Sequence, residues 1–346
     1  MAEQGRRSEH DDVGPSPGVA QPTGRETRVT REIVLFVGGV GVLYFGAEWL
    51  VRGSARLASS LGVSPIVVGL TVVSMGTSAP ELVISVVASL SGSYDLAVGN
   101  VMGSNLANVG LVLGISAIIR PLKVSARIVT REVPVMIIIT MLLFPLIWNR
   151  HIGRFEGVLL VMMLVAYNVF VLRSGKTESS EVLDEYDEFT HGAVGPYSWT
   201  AARDLGLIFM GVAGLLLGAF VIRESALALA EAMGISELVI GLTLVSIGTS
   251  LPELATCAVA SYRQEADIAV GNIIGSNVFN IAGVLGVTSI ISPLEISPEV
   301  LRAEFPAVLI ITILMMPIVR LNLRIRRREG FFLLGAYVAL GWWVLF

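Results

Sequence analysis

Two glutamates of this 346-residue chain stand in nearly the same setting, inside long apolar stretches. Glu81 ends the segment Ser-Met-Gly-Thr-Ser-Ala-Pro-Glu, and Glu253 ends the segment Ser-Ile-Gly-Thr-Ser-Leu-Pro-Glu. A carboxylate near the centre of a bilayer costs about 2.5 kcal/mol or more, and such residues face a bundle interior or a water-filled cavity. A matched pair of them therefore predicts a functional site.

The neighbours of each glutamate supply further oxygen atoms. Pro80 and Pro252 lack an N–H and clash with the preceding turn, which breaks a helix. Irregular backbone at membrane depth is tolerated where it lines a cavity or is buried in protein. Such a break leaves carbonyl oxygens beside Thr and Ser hydroxyls and a carboxylate, and hard cations such as Ca²⁺ take about six to eight oxygen ligands of these kinds. The two copies share no His, Cys or Met, which argues against Zn²⁺ or Cu⁺.

A second polar set follows in the next apolar stretch. Asn100, Ser104 and Asn108 are spaced by four residues and therefore share one helical face. They match Asn272, Ser276 and Asn280. We expect these side chains to ligate an ion or to hold the carboxylates by hydrogen bonds. For the matched Asp95 and Asp267 we expect helix capping, with ion recruitment as the alternative.

These motifs belong to an internal repeat. Residues 69–119 align without a gap on 241–291 at a constant offset of 172, and 28 of the 51 pairs are identical. Five predicted spans separate corresponding points, and because five is odd the second copy enters the membrane from the opposite side. Transporters are commonly built from such inverted repeats, with substrate bound near the midplane where the repeats meet.

The elements that must position these residues are transmembrane helices. The chain is 54% hydrophobic and 15% charged, with a mean hydropathy of +0.76, whereas soluble domains carry about 25% charged residues. Apolar runs of about 20 residues are long enough to cross a bilayer. We predict ten spans near 33–52, 64–90, 95–119, 130–148, 154–172, 204–222, 236–262, 267–291, 303–320 and 329–346. The composition excludes a soluble enzyme, and no basic face for nucleic acid is present.

The spans define four predicted regions. Residues 1–32 are expected to form a disordered tail, 33–172 the first five-helix repeat, 173–203 an acidic linker and 204–346 the second, inverted repeat. Fifteen Lys and Arg residues fall in the loops of one side and four in those of the other, excluding the tail. Because basic loops remain in the cytoplasm, the linker is predicted to be cytoplasmic and the N-terminus to lie outside.

The paired motifs closely resemble those of the cation/calcium exchanger superfamily, specifically the sodium/calcium exchangers of the prokaryotic type. The likeness rests on the Gly-Thr-Ser-X-Pro-Glu and Gly-Asn-X-X-Gly-Ser-Asn segments of both halves and covers essentially all ten predicted spans. It implies an all-α integral membrane fold of ten helices, arranged as two inverted-topology repeats of five. Broken helices and four binding positions around a central diamond would form the ion site.

The resemblance also implies a role for each matched residue. Glu81 and Glu253 would ligate both Ca²⁺ and Na⁺, and the carbonyls of Thr77 and Thr249 would complete the Ca²⁺ site. The flanking Na⁺ ligands would come from six serines: Ser74, Ser78, Ser104, Ser246, Ser250 and Ser276.

Two asparagines, Asn108 and Asn280, fall at the remaining central pair. One member of that pair is often Asp in relatives, and in the potassium-dependent branch an Asp at the position of Asn280 is associated with K⁺ transport. Two asparagines therefore predict that K⁺ is neither required nor carried.

The predicted function is antiport of Na⁺ and Ca²⁺ by alternating access, with the first and sixth spans sliding across a fixed core as the resemblance implies. The protein would be a multi-pass protein of the cell membrane, with Ca²⁺ and Na⁺ as substrates, no resident cofactor, no obligatory protein partner and no enzyme activity. A proton/calcium antiporter is one alternative, because two close carboxylates raise each other's pKa. A cation channel is the alternative from another class.

Overall fold

The computed structural model describes residues 24–177, 197–232, 246–320 and 323–345, and side chains within 29–174, 202–230, 248–320 and 323–345. The backbone in these ranges is almost entirely helical. The helices are α1 Gly24–Leu61, α2 Pro65–Thr77, α3 Ala79–Leu90, α4 Tyr94–Ile119, α5 Ile128–Ile147, α6 Arg154–Thr177, α7 Tyr197–Ala232, α8 Ser246–Thr249, α9 Leu251–Tyr262, α10 Ala266–Ile291, α11 Val300–Arg320 and α12 Arg327–Leu345.

Seven of these helices are long and apolar enough to cross a membrane: α1, α4, α5, α6, α7, α10 and α11. The pair α2 and α3 forms an eighth candidate, bent by 42°. These counts refer to the described parts of the chain. The structure thus bears out an all-α protein with many apolar helices.

The helices of the structure begin and end differently from the boundaries of two predicted regions. Helix α1 begins at Gly24, so residues 24–32 are helical and do not belong to a disordered tail. The physical reason is that residues 25–37 contain no Gly or Pro, so the helix can begin before the apolar stretch. The predicted linker is also too long at both ends, because α6 continues to Thr177 and α7 begins at Tyr197. Residues 1–23 and 178–196 lie outside the described part.

The break between α2 and α3 coincides with the motif around Glu81. Ser78 has φ −89° and ψ 9°, and Pro80 follows in the first turn of α3. Ser250 separates α8 from α9 in nearly the same conformation, with φ −87° and ψ 5°. The missing proline N–H thus interrupts both helices at the same position of the repeat.

Two short antiparallel strand pairs join the halves. Strand β1, Leu122–Lys123, pairs with β4, Arg324–Ile325, while β2, His151–Ile152, pairs with β3, Leu294–Glu295. Helix α5 leads from β1 to β2, and α11 leads from β3 to β4. Since β1 lies beside β4 and β2 beside β3, α5 and α11 run in opposite directions.

The centre of the bundle is formed by α4 and α10. In their most apolar windows 72% and 89% of the residues are buried, against 22% for α6, which faces outward. Helices α1 and α7 pack against each other along glycines: a Cβ on Gly46 would lie 2.6 Å from the Leu215 nitrogen, and one on Gly218 would lie 2.6 Å from the Leu43 nitrogen. Small residues at these two places let the backbones approach closely.

Candidate ion site

Glu81 and Glu253 meet in the interior, one from each half of the chain. They lie in the first turns of α3 and α9, and their exposed fractions are 1% and 0%. Ser78 Oγ donates to Glu253 Oε1 at 2.8 Å, so the break of the first half contacts the carboxylate of the second. Ser104 Oγ donates to Glu81 Oε1 at 3.3 Å. The negative charges of the two carboxylates act on each other.

The second oxygen of each carboxylate has no partner among the described residues. Glu81 Oε2 and Glu253 Oε2 are buried and make no hydrogen bond there. A buried charge is costly unless it is paired. Each carboxylate therefore has one oxygen fixed by a serine and one oxygen available to a cation.

The helix break interrupts the backbone hydrogen bonds just before Glu81. Ser78 N–H donates to Ser74 O at 3.0 Å, and Leu82 N–H donates to Ser78 O at 3.3 Å. The helix ends at Thr77 and restarts at Ala79, so the carbonyl of Thr77 lies outside the α-helical ladder. Such a carbonyl, beside a carboxylate, is a suitable oxygen ligand for a hard cation.

Hydroxyl groups of both halves surround the carboxylates. Thr77 Oγ1 donates to Asn272 Oδ1 at 3.1 Å and lies 3.5 Å from Ser276 Oγ. Ser74 packs against α10, and its Oγ donates to Leu70 O at 2.8 Å. Because the hydroxyl acts as a donor in this bond, the lone pairs of Ser74 Oγ remain available as acceptors. Ser250 Oγ is buried without a hydrogen-bond partner among the described residues.

The amides of α4 and α10 bond across the repeat interface. Asn108 Nδ2 donates to Asn277 Oδ1 at 3.1 Å, and the Asn105 and Asn277 amides each donate to the other's backbone carbonyl at 3.4 Å. Asn108 begins a π-helical turn at 108–112, and Asn280 lies in the matching turn at 279–284. Single π-turns of this kind are frequent at functional sites.

The structure brings most of the predicted site residues together. Glu81, Glu253, Thr77, Ser78, Ser104 and Ser276 form one set linked by hydrogen bonds and charge. Five further predicted members are buried on the same helices or at the second break: Ser74, Asn108, Thr249, Ser250 and Asn280. The side chain of Ser246 lies outside the described part.

Comparison with known proteins decides the family. The family model described as "Sodium/calcium exchanger protein" matches residues 31–173 and 204–346, which together make up most of the chain. The chain belongs to this family. It is a multi-pass integral membrane protein of a transporter family.

Individual relatives of the exchanger cover nearly all of its length. It is 34% identical to Inner membrane protein YrbG of Escherichia coli (strain K12), over 81% of the chain and 86% of the relative. It is 31% identical to Sodium/calcium exchanger MaX1 of Methanosarcina acetivorans, over 90% of the chain and 97% of the relative. A solved structure of the sodium-calcium exchanger NCX_Mj, soaked with Na⁺ and Sr²⁺, superposes with a TM-score of 0.77 at 30% identity, over 90% of this chain and 97% of that one.

Two asparagines of the exchanger contact site residues although they are not among the ion ligands that the resemblance implies. Asn277 bonds Asn108, and Asn272 bonds Thr77, so both contact predicted site residues directly. Their identity with Asn105 and Asn100 at the 172-residue offset was the available signal. The same offset pairs Glu132 with Glu304, thirteen residues beyond the aligned segment, and both lie near a π-turn.

Proposed function

We propose that this exchanger carries Na⁺ and Ca²⁺ in opposite directions across the membrane through one site shared by its two halves. The observation that carries the proposal is the pair of buried carboxylates. Each comes from a different half, and each holds one oxygen without a partner among the described residues. The relatives MaX1 and NCX_Mj are both named as sodium/calcium exchangers, which supports the same ions.

Charge balance makes Ca²⁺ the fitting divalent substrate. Two carboxylates supply two negative charges, so a Ca²⁺ ion between them forms a nearly neutral complex inside a bundle of low dielectric. At an effective dielectric of about 20, a unit charge about 4 Å from another contributes about 4 kcal/mol, and a divalent ion about twice that. Na⁺ ions can bind the same carboxylates, and this competition is the basis of exchange.

We assign the Ca²⁺ ligands to Glu81, Glu253 and the carbonyls of Thr77 and Thr249. Carboxylate and carbonyl oxygens are the ligands that Ca²⁺ takes in flexible geometry. The Na⁺ ligands are assigned to the serines that flank them: Ser74, Ser78, Ser104, Ser246, Ser250 and Ser276. Asn108 and Asn280 fill the remaining central pair with neutral amides, so the site carries only two carboxylates.

The architecture we propose has ten spans in two inverted repeats of five. Three observations support it: the antiparallel course of α5 and α11, the matched breaks at Ser78 and Ser250, and the reciprocal contacts of Gly46 and Gly218. Each of these relates a feature of one half to its counterpart in the other. Residues 33–172 and 204–346 would then be the two repeats.

Alternating access requires part of the bundle to move past the site. Helices α1 and α7 pack mainly on each other and lie against α2, α8 and α9, which carry or adjoin the broken segments. We assign the movement to α1 and α7, sliding together over the core of α4 and α10. The site would then open to one side of the membrane at a time.

Ion flux in reconstituted vesicles tests this function. Purified protein in proteoliposomes loaded with Na⁺ should accumulate external ⁴⁵Ca²⁺ when the outside lacks Na⁺, whereas liposomes bearing the Glu253→Gln variant should not. Uptake driven only by a proton gradient would instead establish a proton/calcium antiporter. Uptake that needs no counter-ion would establish a channel.

A further inference from the structure

A chain of hydrogen bonds runs from the interior of α9 to the break that carries Thr77. Cys257 Sγ donates to Ala269 O at 3.4 Å. Asn272 Nδ2 donates to Cys257 Sγ at 3.3 Å, and Thr77 Oγ1 donates to Asn272 Oδ1 at 3.1 Å. Cys257, Asn272 and Thr77 are each 0% exposed. The Asn272 amide thus links α9 of the second half to the helix break of the first.

The chemistry of these groups fixes the orientation of that amide. A thiol has a single proton, and the proton of Cys257 is directed at the Ala269 carbonyl, so its sulfur serves Asn272 as an acceptor. Only the NH₂ end of the Asn272 side chain can therefore face the sulfur. The opposite end, Oδ1, then faces Thr77, whose hydroxyl lies closer to it, at 3.1 Å, than to its other acceptor Ser74 O, at 3.4 Å.

The other half contains the first two of these hydrogen bonds, with a hydroxyl in place of the thiol, and its Asn100 Nδ2 also donates to Glu81 O at 3.2 Å. Ser85 Oγ donates to Ala97 O at 3.1 Å, and Asn100 Nδ2 donates to Ser85 Oγ at 3.0 Å. Ser85 and Ala97 are the counterparts of Cys257 and Ala269 at the 172-residue offset. Since hydroxyl and thiol fill the same place, the shared property is hydrogen bonding and not thiol reactivity.

We propose that Cys257 and Asn272 are positioning residues for the Ca²⁺ site: Cys257 orients the Asn272 amide, and Asn272 holds Thr77 so that its carbonyl faces the ion. The proposal rests on the assignment of the Thr77 carbonyl as a Ca²⁺ ligand. It makes the affinity for Ca²⁺ depend on a side chain that does not touch the ion.

The test compares three substitutions on α9. Cys257→Ala removes the hydrogen bond, and Cys257→Ser keeps it, as Ser85 does in the other half. Thr256→Val is the matched control, because Thr256 is equally buried and its hydroxyl has no hydrogen-bond partner among the described residues. Each variant is assayed for the Ca²⁺ KM and maximal rate of Na⁺-driven uptake, and for equilibrium ⁴⁵Ca²⁺ binding in detergent.

Cys257→Ala should raise the KM and Kd for Ca²⁺ about three- to tenfold, which is the range that one lost hydrogen bond gives. The maximal rate and the thermal unfolding midpoint should stay near wild type, and Cys257→Ser should restore the KM. Equal impairment of the Ala and Ser variants would show a packing role and overturn the proposal, as would an unchanged KM in Cys257→Ala.

The binding assay separates this proposal from the proposed function. If the wild type binds Ca²⁺ but Na⁺ does not drive uptake, Na⁺/Ca²⁺ exchange is wrong, and the Kd ratios of the variants still decide the role of Cys257. If the wild type binds no Ca²⁺, both proposals fail.

Discussion

The turns before α5 and α11 occupy equivalent places in the two halves, yet they carry opposite charges. Arg127 precedes α5, is only 7% exposed, and places its Nε 3.0 Å from Glu132 Oε1. Its Nη2 also donates to Val171 O on α6 at 3.2 Å. The counterpart before α11 is Glu299, an exposed residue whose negative charge acts on Glu304.

The neighbouring charges strengthen this contrast. Arg127 also acts on Asp267 at the start of α10, so one positive charge faces two acidic residues on the side of β1 and β4. On the side of β2 and β3, Glu304 is near Asp95 and Glu299, with no counterpart of the buried arginine among the described residues. Asp95 and Glu295, together with Arg150 and His151, line an open pocket of about 750 Å³ on that side.

The two halves are alike at the proposed ion site and differ at the two faces of the membrane protein. The glutamates, the breaks and the serines match between halves, as the proposed shared site requires. The faces have no such requirement: one is fastened by a buried ion pair, and the described residues of the other contain no matching pair. A protein with equivalent repeats at its centre can therefore still have two different sides.

The largest expected effect is on Ca²⁺ uptake, and it tests whether Glu81 and Glu253 are equivalent. Glu81→Gln and Glu253→Gln should each abolish Ca²⁺ uptake, because one lost charge leaves the Ca²⁺ complex with excess positive charge. Even about 3 kcal/mol of lost interaction is over a hundredfold in affinity. Gln keeps the shape and removes a buried charge, so both variants should fold. We expect them to be equally severe in ⁴⁵Ca²⁺ uptake. Near-normal transport by either would break the equivalence.

The next effect tests the difference between the faces. Arg127→Met should destabilise the protein by about 3–5 kcal/mol, because it leaves Glu132 buried without its partner. Glu299→Gln at the equivalent position should change stability by less than about 0.5 kcal/mol, since that residue is exposed. Unfolding of both variants in detergent, followed by intrinsic fluorescence, gives the comparison. Similar losses of stability in both variants would show that the two turns contribute equally to the stability of the fold.

The smallest effect concerns the central asparagines. Wild-type uptake should be unchanged when K⁺ is replaced by an inert cation, because Asn108 and Asn280 add no charge to the site. Asn280→Asp should make uptake respond to K⁺, since a third carboxylate can hold one more monovalent cation beside Ca²⁺. Asn108→Asp is the matched substitution in the other half. A wild type that stops without K⁺ would contradict this reading of the asparagines.

Sequence alone predicted that Glu81 and Glu253 lie in the interior, because a carboxylate deep inside an apolar stretch has few structural explanations. The matched Pro80 and Pro252 also predicted the positions of both breaks, since a missing N–H acts locally. The start of α1 was predicted too late, because apolar runs mark where a helix is buried and not where it begins.

The hydrogen-bond chain through Cys257 could not be predicted in the same way. Its partners Asn272 and Thr77 are distant in the sequence, and their contact depends on how α9 and α10 pack against the first half. The charge reversal between Arg127 and Glu299 is visible in the sequence at the 172-residue offset. The sequence does not show that Arg127 is buried and Glu299 is exposed, because burial depends on how the helices pack.

The most direct test of a shared site is the stoichiometry of Ca²⁺ binding. Purified protein in detergent is titrated with ⁴⁵Ca²⁺ in the absence and presence of Na⁺, alongside Glu81→Gln and Glu253→Gln. A site shared by the two halves predicts one Ca²⁺ per chain, displaced by Na⁺, and complete loss of this binding in each single variant. Two Ca²⁺ per chain in the wild type, with one retained in each variant, would show that the halves hold separate sites and would contradict a shared site.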